Sequence, residues 1–259
     1  MVPSISPWLW SVFGRYARRY VRRHFHAVRL CRAGGTPTQP PDLPLIVYIN
    51  HASWWDPMIG LFLAQRYWPN RRHYAPMDAA SLTRYRFFSR LGFFGVEQNS
   101  PRGAASFLRT ASLILEQPDA VLWVTPQSAF ADPRCRPLSL RPGLGHLIHR
   151  LPRCAILPLA FEYPFWQERF PEALVHCGQP IDRDGDHSRS PQQWTDLLTR
   201  SLEQTQDQLA AAAMTQDTQQ FEILLGGRAG VGGTYDLWRR LRSLLIGQKF
   251  QPEHGAHQP

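Results

Sequence analysis

Short apolar runs alternate with segments of helical spacing from Leu45 to Cys177, and this alternation constrains the fold more than any other feature of the chain. The runs Leu45 to Ile49, His73 to Met77, Phe93 to Glu97, Ala120 to Thr125, Ala155 to Tyr163 and Ala173 to Cys177 read as strands. Between them Pro57 to Arg66, Arg84 to Leu91, Arg102 to Glu116 and Gly143 to Arg150 read as helices. Strands with no polar alternation are buried on both faces, which happens when helical crossovers cover both sides of a parallel sheet. The expectation is an α/β sandwich with a largely parallel sheet flanked by helices. At 259 residues and 43% hydrophobic content the chain can bury one such core, and a disordered chain is excluded.

The flanks differ from this centre. Drawn as a helix, Pro7 to Val28 gathers Arg15, Arg18, Arg19, Arg22 and Arg23 on one side and Leu9, Phe13, Tyr16, Ala17, Tyr20 and Val28 on the other. This is the pattern of an interfacial helix, and equally of an amphipathic helix packed on a core with a solvated arginine face. The prolines of Gly34 to Pro41 read as a linker. Ser190 to Ala213 opens with Ser-Pro and carries Trp194, Leu198, Leu202 and Leu209 at helical spacing. Gly226 to Gly233 reads as a flexible hinge that follows no strand, and Tyr235 to Ile246 as a last basic helix. The division expected is residues 1–33 as a membrane-interface helix, 42–182 as the core domain, and 183–259 as a helical extension.

The net charge of +9 is almost entirely arginine, Lys249 being the only lysine. An anionic partner follows. Trp8 and Trp10 among the first arginines suit a lipid surface better than nucleic acid, and no nucleic-acid partner is expected. No stretch reaches the roughly 18 apolar residues of a spanning helix. The expected location is therefore peripheral, on the cytoplasmic face of a membrane. Cys31, Cys135, Cys154 and Cys177 have neither disulfide-framework nor zinc-ligand spacing. His146 and His149, three apart on an apolar helix, read as packing residues.

The chemistry centres on Asn50-His51-Ala52-Ser53-Trp54-Trp55-Asp56, directly after the first strand of the core. A histidine at a strand end, with a carboxylate five positions later at a helix start, stands where α/β folds bind ligands. Imidazole suits removal of a hydroxyl proton during attack on an acyl carbonyl, and a carboxylate on its other nitrogen fixes the tautomer and stabilises the imidazolium. Ser53 and Asp56 would also serve simply as helix caps. Trp54 and Trp55 are candidates for a water shield or an acyl groove, or for plain core packing.

Asn50-His51-x-x-x-x-Asp56 after an apolar strand resembles the first motif of the glycerolipid acyltransferase family, which includes lysophosphatidate acyltransferases. The later blocks fall in that family's order as Gly95-Val96-Glu97-Gln98, Val124-Thr125-Pro126-Gln127-Ser128 and Ile156-Leu157-Pro158-Leu159. The resemblance spans about Leu45 to Ile181 and implies an acyltransferase-type sandwich. It implies His51 and Asp56 as the catalytic pair. It also implies an acyl-CoA or acyl-carrier-protein thioester as co-substrate, no metal or resident cofactor, and no covalent acyl-enzyme. Asn50, Gln98, Pro126, Gln127 and Ser128 would bind substrate.

Where the family has an acceptor-binding arginine and glutamate, this chain has Gln98 and Gln127. A neutral amide makes no charge-assisted, bidentate contact with phosphate. Arg102, Arg134, Arg136 and Arg141 are the candidates to replace that contact, either for an acceptor phosphate or for coenzyme A; their other reading is solvated loop charge. The expected activity is acyl transfer to a lipid hydroxyl of lysophospholipid type, with a neutral or glycosylated lipid as the alternative acceptor. A thioester hydrolase and a non-catalytic lipid-binding protein are the remaining classes. The oligomeric state is left open.

Overall fold

The computed structural model describes residues 2–37, 42–184 and 188–228. Helix α1 (Pro7–His24) leads into strand β1 (Ala27–Cys31), then β2 (Leu45–Ile49), α2 (Asp56–Tyr67), β3 (Arg72–Asp78), α3 (Ala79–Arg84) and β4 (Phe93–Val96). There follow α4 (Pro101–Leu115), β5 (Ala120–Val124), α5 (Gly143–Arg150), β6 (Arg153–Glu162), β7 (Glu172–Cys177), β8 (Ile181–Asp184), α6 (Pro191–Thr215) and β9 (Phe221–Gly226). The strands form one nine-stranded sheet in the order β4-β3-β5-β2-β6-β7-β1-β9, with β8 alongside the first half of β6. β2 runs parallel to both β5 and β6, and β3 parallel to β4 and β5. The antiparallel pairs are β6 with β7 and β8, and β1 with β9. The mostly parallel α/β sandwich expected from the apolar runs is the observed architecture.

β2 shows how sequence sets the layers. Leu45, Val47 and Ile49 face one core with Val21 of α1 and Ile59 and Leu63 of α2. Ile46 and Tyr48 face the other with Phe107 of α4, Leu147 of α5 and Trp194 and Leu198 of α6. Each residue of β2 is at most 4% exposed, so the strand is apolar throughout because both faces are covered. Full burial of each such side chain contributes about 1.5–3 kcal/mol. Helix starts follow local chemistry. Ser100 accepts from the Gly103 amide ahead of Pro101, and Ser190 with Gln193 forms a reciprocal capping box ahead of Pro191.

Several expectations are corrected. The first helix ends at His24, and Ala27–Cys31 is a strand between β7 and β9 with all its residues buried. Val28 fits the apolar side of a helical projection, but Arg29 settles the matter: it is 4% exposed and its Nε donates to Glu172 Oε2 at 2.9 Å. The segment expected as a helix over Arg84–Leu91 is instead the end of α3 followed by a 3-10 turn, Arg86–Leu91. The extension expected to be helical contains β9, so the glycine tract does follow a strand. The sheet therefore crosses the expected boundaries after residues 33 and 182. The expected last helix lies outside the described residues.

Candidate active site

The segment leaving β2 turns back within a few residues, which brings His51 and Asp56 together at the carboxyl end of the central strand. The Nδ1–H of His51 donates to Asp56 Oδ2 at 2.8 Å, and the Ser53 amide donates to the same oxygen at 3.1 Å. The other carboxylate oxygen, Oδ1, accepts from the Tyr163 hydroxyl at 2.8 Å. Asp56 is 1% exposed, and these donors, with the amino end of α2 on which it stands, offset the cost of burying its charge. Burial first, then the Asp56 charge, holds the Tyr163 phenol well above its ordinary range, so this hydroxyl acts as a donor. With Nδ1 engaged, Nε2 is the nitrogen available to a substrate.

The backbone of His51 is pinned by the segment after β5. Its amide donates to Gln127 Oε1 at 2.8 Å, and its carbonyl accepts from the Ala131 amide at 2.9 Å. The Phe130 ring lies 4.3 Å from the imidazole, with Phe130 itself 62% exposed. His51 borders a cavity of about 650 Å³. Its walls are the ends of β3, β4 and β5, the first turns of α4 and α5, and the side chains of Asp78, Glu97, Gln98, Asn99, Ser128 and Arg141. Arg141 is anchored through its amide to the Pro126 carbonyl at 2.8 Å, and its Nη2 donates to Asn99 Oδ1 at 2.6 Å.

Of the residues singled out in the sequence, His51, Gln98, Pro126, Ser128 and Arg141 meet at this cavity, and Asp56 stands directly behind His51. The others are placed differently. Asn50 is 1% exposed, and its amide clamps β2 to β6, donating to the Phe161 carbonyl at 3.0 Å and accepting from the Phe161 amide at 2.7 Å. It has no group to offer a substrate, and the substrate-binding role expected of it is replaced by a structural one. Gln127 positions the His51 backbone and does not line the cavity. Arg134 pairs with buried Glu162, and Arg136 pairs with Asp207 at 2.6 Å, so both fasten the segment after β5 to β6 and α6. Arg102 is exposed on α4 and does not line the cavity.

Trp55 packs against the core, as one of the readings offered for it has it, while Trp54 is 55% exposed and stacks on Trp55. His146 is exposed and is not a packing residue, while His149 is half-buried with its Nδ1 3.0 Å from the Arg189 carbonyl. Among the described residues no group of three or more histidine, cysteine, aspartate or glutamate side chains is placed to hold a metal ion. Sequence reasoning missed Tyr163 and Phe130. Tyr163 closes an apolar strand and carried that much signal, but no spacing links it to Asp56 across 107 residues.

A histidine oriented by a buried carboxylate, at the carboxyl end of a parallel strand and open to a cavity, is an arrangement whose chemistry suits taking a proton from a hydroxyl group in an α/β enzyme. The family model described as Acyltransferase matches residues 30–162, more than half of the 259 residues, and the chain belongs to that family. Among solved structures, the 1-acyl-sn-glycerophosphate (LPA) acyltransferase PlsC from Thermotoga maritima superposes with a TM-score of 0.47 and 13% identity, covering 76% of this chain and 79% of that one. No curated protein sequence matches the chain.

Proposed function

We propose that this acyltransferase moves a fatty acyl group from acyl-CoA or acyl-carrier protein to the hydroxyl of a lipid at a membrane surface. The observation that carries the reading is the chain of hydrogen bonds from Tyr163 through Asp56 to His51, ending at a cavity. His51 Nε2 takes the proton of the acceptor hydroxyl as its oxygen attacks the thioester carbonyl. The tetrahedral intermediate collapses with cleavage of the carbon–sulfur bond, and the imidazolium returns the proton to the departing thiolate. Asp56 holds the tautomer this requires and stabilises the imidazolium.

A cavity of about 650 Å³ suits a headgroup, and the acyl chains then lie outside it, over the exposed rings of Phe130 and Trp54. The same side offers a lipid surface its contacts. Trp8, Tyr16 and Phe87 are exposed, and the rings of Phe87, Phe13, Tyr16, Tyr20 and Trp54 follow one another at 5.6–6.4 Å. Arg15, Arg19 and Arg23 are exposed beside them on α1, a combination that suits an anionic membrane interface. Among the described residues no helix is long and apolar enough to cross a membrane. We place the protein peripherally on the cytoplasmic leaflet, a reading supported by the exposed rings and arginines of α1.

The test is incubation of the protein with radiolabelled acyl-CoA and lipid acceptors, following labelled lipid and free thiol together. His51→Ala is expected to lower lipid product by about 10²–10⁴-fold with the fold intact. Thiol release without labelled lipid, whatever acceptor is supplied, would replace transfer with hydrolysis.

A further inference from the structure

We propose that the acceptor carries an uncharged polyol headgroup, of glycerol or sugar type, seated in the cavity beside His51; this rests on acyl transfer by His51. The charges around the cavity are the first observation. Among the described lining residues Asp78 and Glu97 bring two carboxylates and Arg141 one guanidinium, which already donates to Asn99. The other arginines placed near the site in sequence are held elsewhere, Arg134 by Glu162 and Arg136 by Asp207, and Arg102 stands off the cavity. A phosphate monoester carries roughly 1.5–2 negative charges near neutral pH and would face two carboxylates with one engaged arginine to hold it.

Hydrogen-bonding capacity is the second observation. A phosphate group mostly accepts, whereas a hydroxyl both donates and accepts. The cavity wall mixes the two kinds of partner. Asp78 and Glu97 accept, the Gln98 amide and Ser128 hydroxyl do both, and Arg141 donates. Asp78 uses one oxygen on the Ser81 amide and Glu97 one on the Ser100 hydroxyl, which leaves each carboxylate a second oxygen to accept with. The amino ends of α4 and α5 add backbone donors that serve a hydroxyl oxygen and an anionic oxygen alike, so the distinction rests on the carboxylates of Asp78 and Glu97. Adjacent hydroxyls could bridge these groups while one of them meets His51 Nε2.

The experiment compares 1-oleoylglycerol, dodecyl glucoside and oleoyl lysophosphatidate as acceptors in mixed micelles, using the full chain and radiolabelled acyl-CoA. The expected result is a kcat/KM for at least one neutral acceptor that exceeds that for lysophosphatidate by about tenfold or more. Glu97→Arg, which reverses a rim charge, should move that ratio toward lysophosphatidate by about tenfold. Equal or preferential use of lysophosphatidate by the unaltered protein overturns the polyol headgroup and leaves acyl transfer standing. Absence of labelled lipid from every acceptor overturns acyl transfer, and the headgroup proposal with it.

Discussion

Asp56 is held by three donors, the His51 imidazole, the Ser53 amide and the Tyr163 hydroxyl, and only the first faces the reaction. Tyr163 is thus a positioning residue that acts through Asp56. Tyr163→Phe leaves one buried carboxylate oxygen without its donor, at a cost of about 1–3 kcal/mol in stability. It should lower kcat by about tenfold with little change in KM, because the imidazole loses its fixed orientation. In an Asp56→Asn background the same change should have almost no further effect on kcat; additive losses in this double-mutant cycle would show that Tyr163 does not act through Asp56. At this scale the sequence exposed the hydrogen-bonded pair at the cavity, since His51 and Asp56 are near neighbours in one turn. Asn50 sat in the same motif, yet its role as a clamp on Phe161 depends on a strand more than a hundred residues later. Arg134 and Arg136 were legible as cations, but their carboxylate partners on β6 and α6 were not, because pairing across the fold leaves no trace in spacing.

One imidazole takes part in the docking of α1, beside Val21 in the core and Gln65 on the Trp10 carbonyl. Trp10 stacks on His73 at 5.1 Å and 4°, the His73 Nε2–H donates to the Trp68 carbonyl at 2.9 Å, and Trp123 Nε1 donates to His73 Nδ1 at 3.1 Å. Both ring nitrogens are committed to the neutral form, and burial lowers the pKa from 6.5 to about 4. Protonation therefore favours the unfolded chain. The contribution of His73 is fully present above pH 6.5 and fades as pH falls toward 4, amounting to about 3 kcal/mol. His26 acts in the opposite sense: its hydrogen bond to Glu172 raises its pKa, so its contribution is present below 6.5 and fades as pH rises through the raised value. Denaturant titrations of the protein and of His73→Gln should differ in slope between pH 6.5 and 4, the variant being flatter; parallel curves would remove His73 as the acid-sensitive group. Elements with strong local patterns were readable, and each apolar run is a strand. β1, β8 and β9 were not: β1 continues the apolar side of a helix in projection, β8 is a short polar stretch beside β6, and β9, although mostly apolar, is a short run after a long helix whose partner β1 lies far away in sequence.

Over the whole molecule, the exposed rings run from α1 to the loop that carries His51, so a membrane contact and the reaction would share one face. Trp8→Ser combined with Trp54→Ser should reduce partitioning onto anionic vesicles by about tenfold, with a stability loss of only about 1 kcal/mol from the Trp54 stack on Trp55. Sedimentation with vesicles at low and high salt measures this, and unchanged binding would assign the contact to another surface. Point substitutions are the right tool, since removing residues 1–30 would take most of β1 out of the sheet. The position of β1 also sets an order of events. It pairs with β7 and β9, Ala27 meeting Glu172 on one side and Gly226 on the other. Translation at about 5–20 residues per second brings β7 about 7–29 s after β1 and β9 about 10–40 s after it. Until β7 is made the nascent chain holds a basic helix and a strand with no partner strand to join, and until β9 is made that strand is covered on one edge only. Any ribosome that stalls before Phe221 releases a chain whose β1 has a bare outer edge, free to pair with the next such chain it meets.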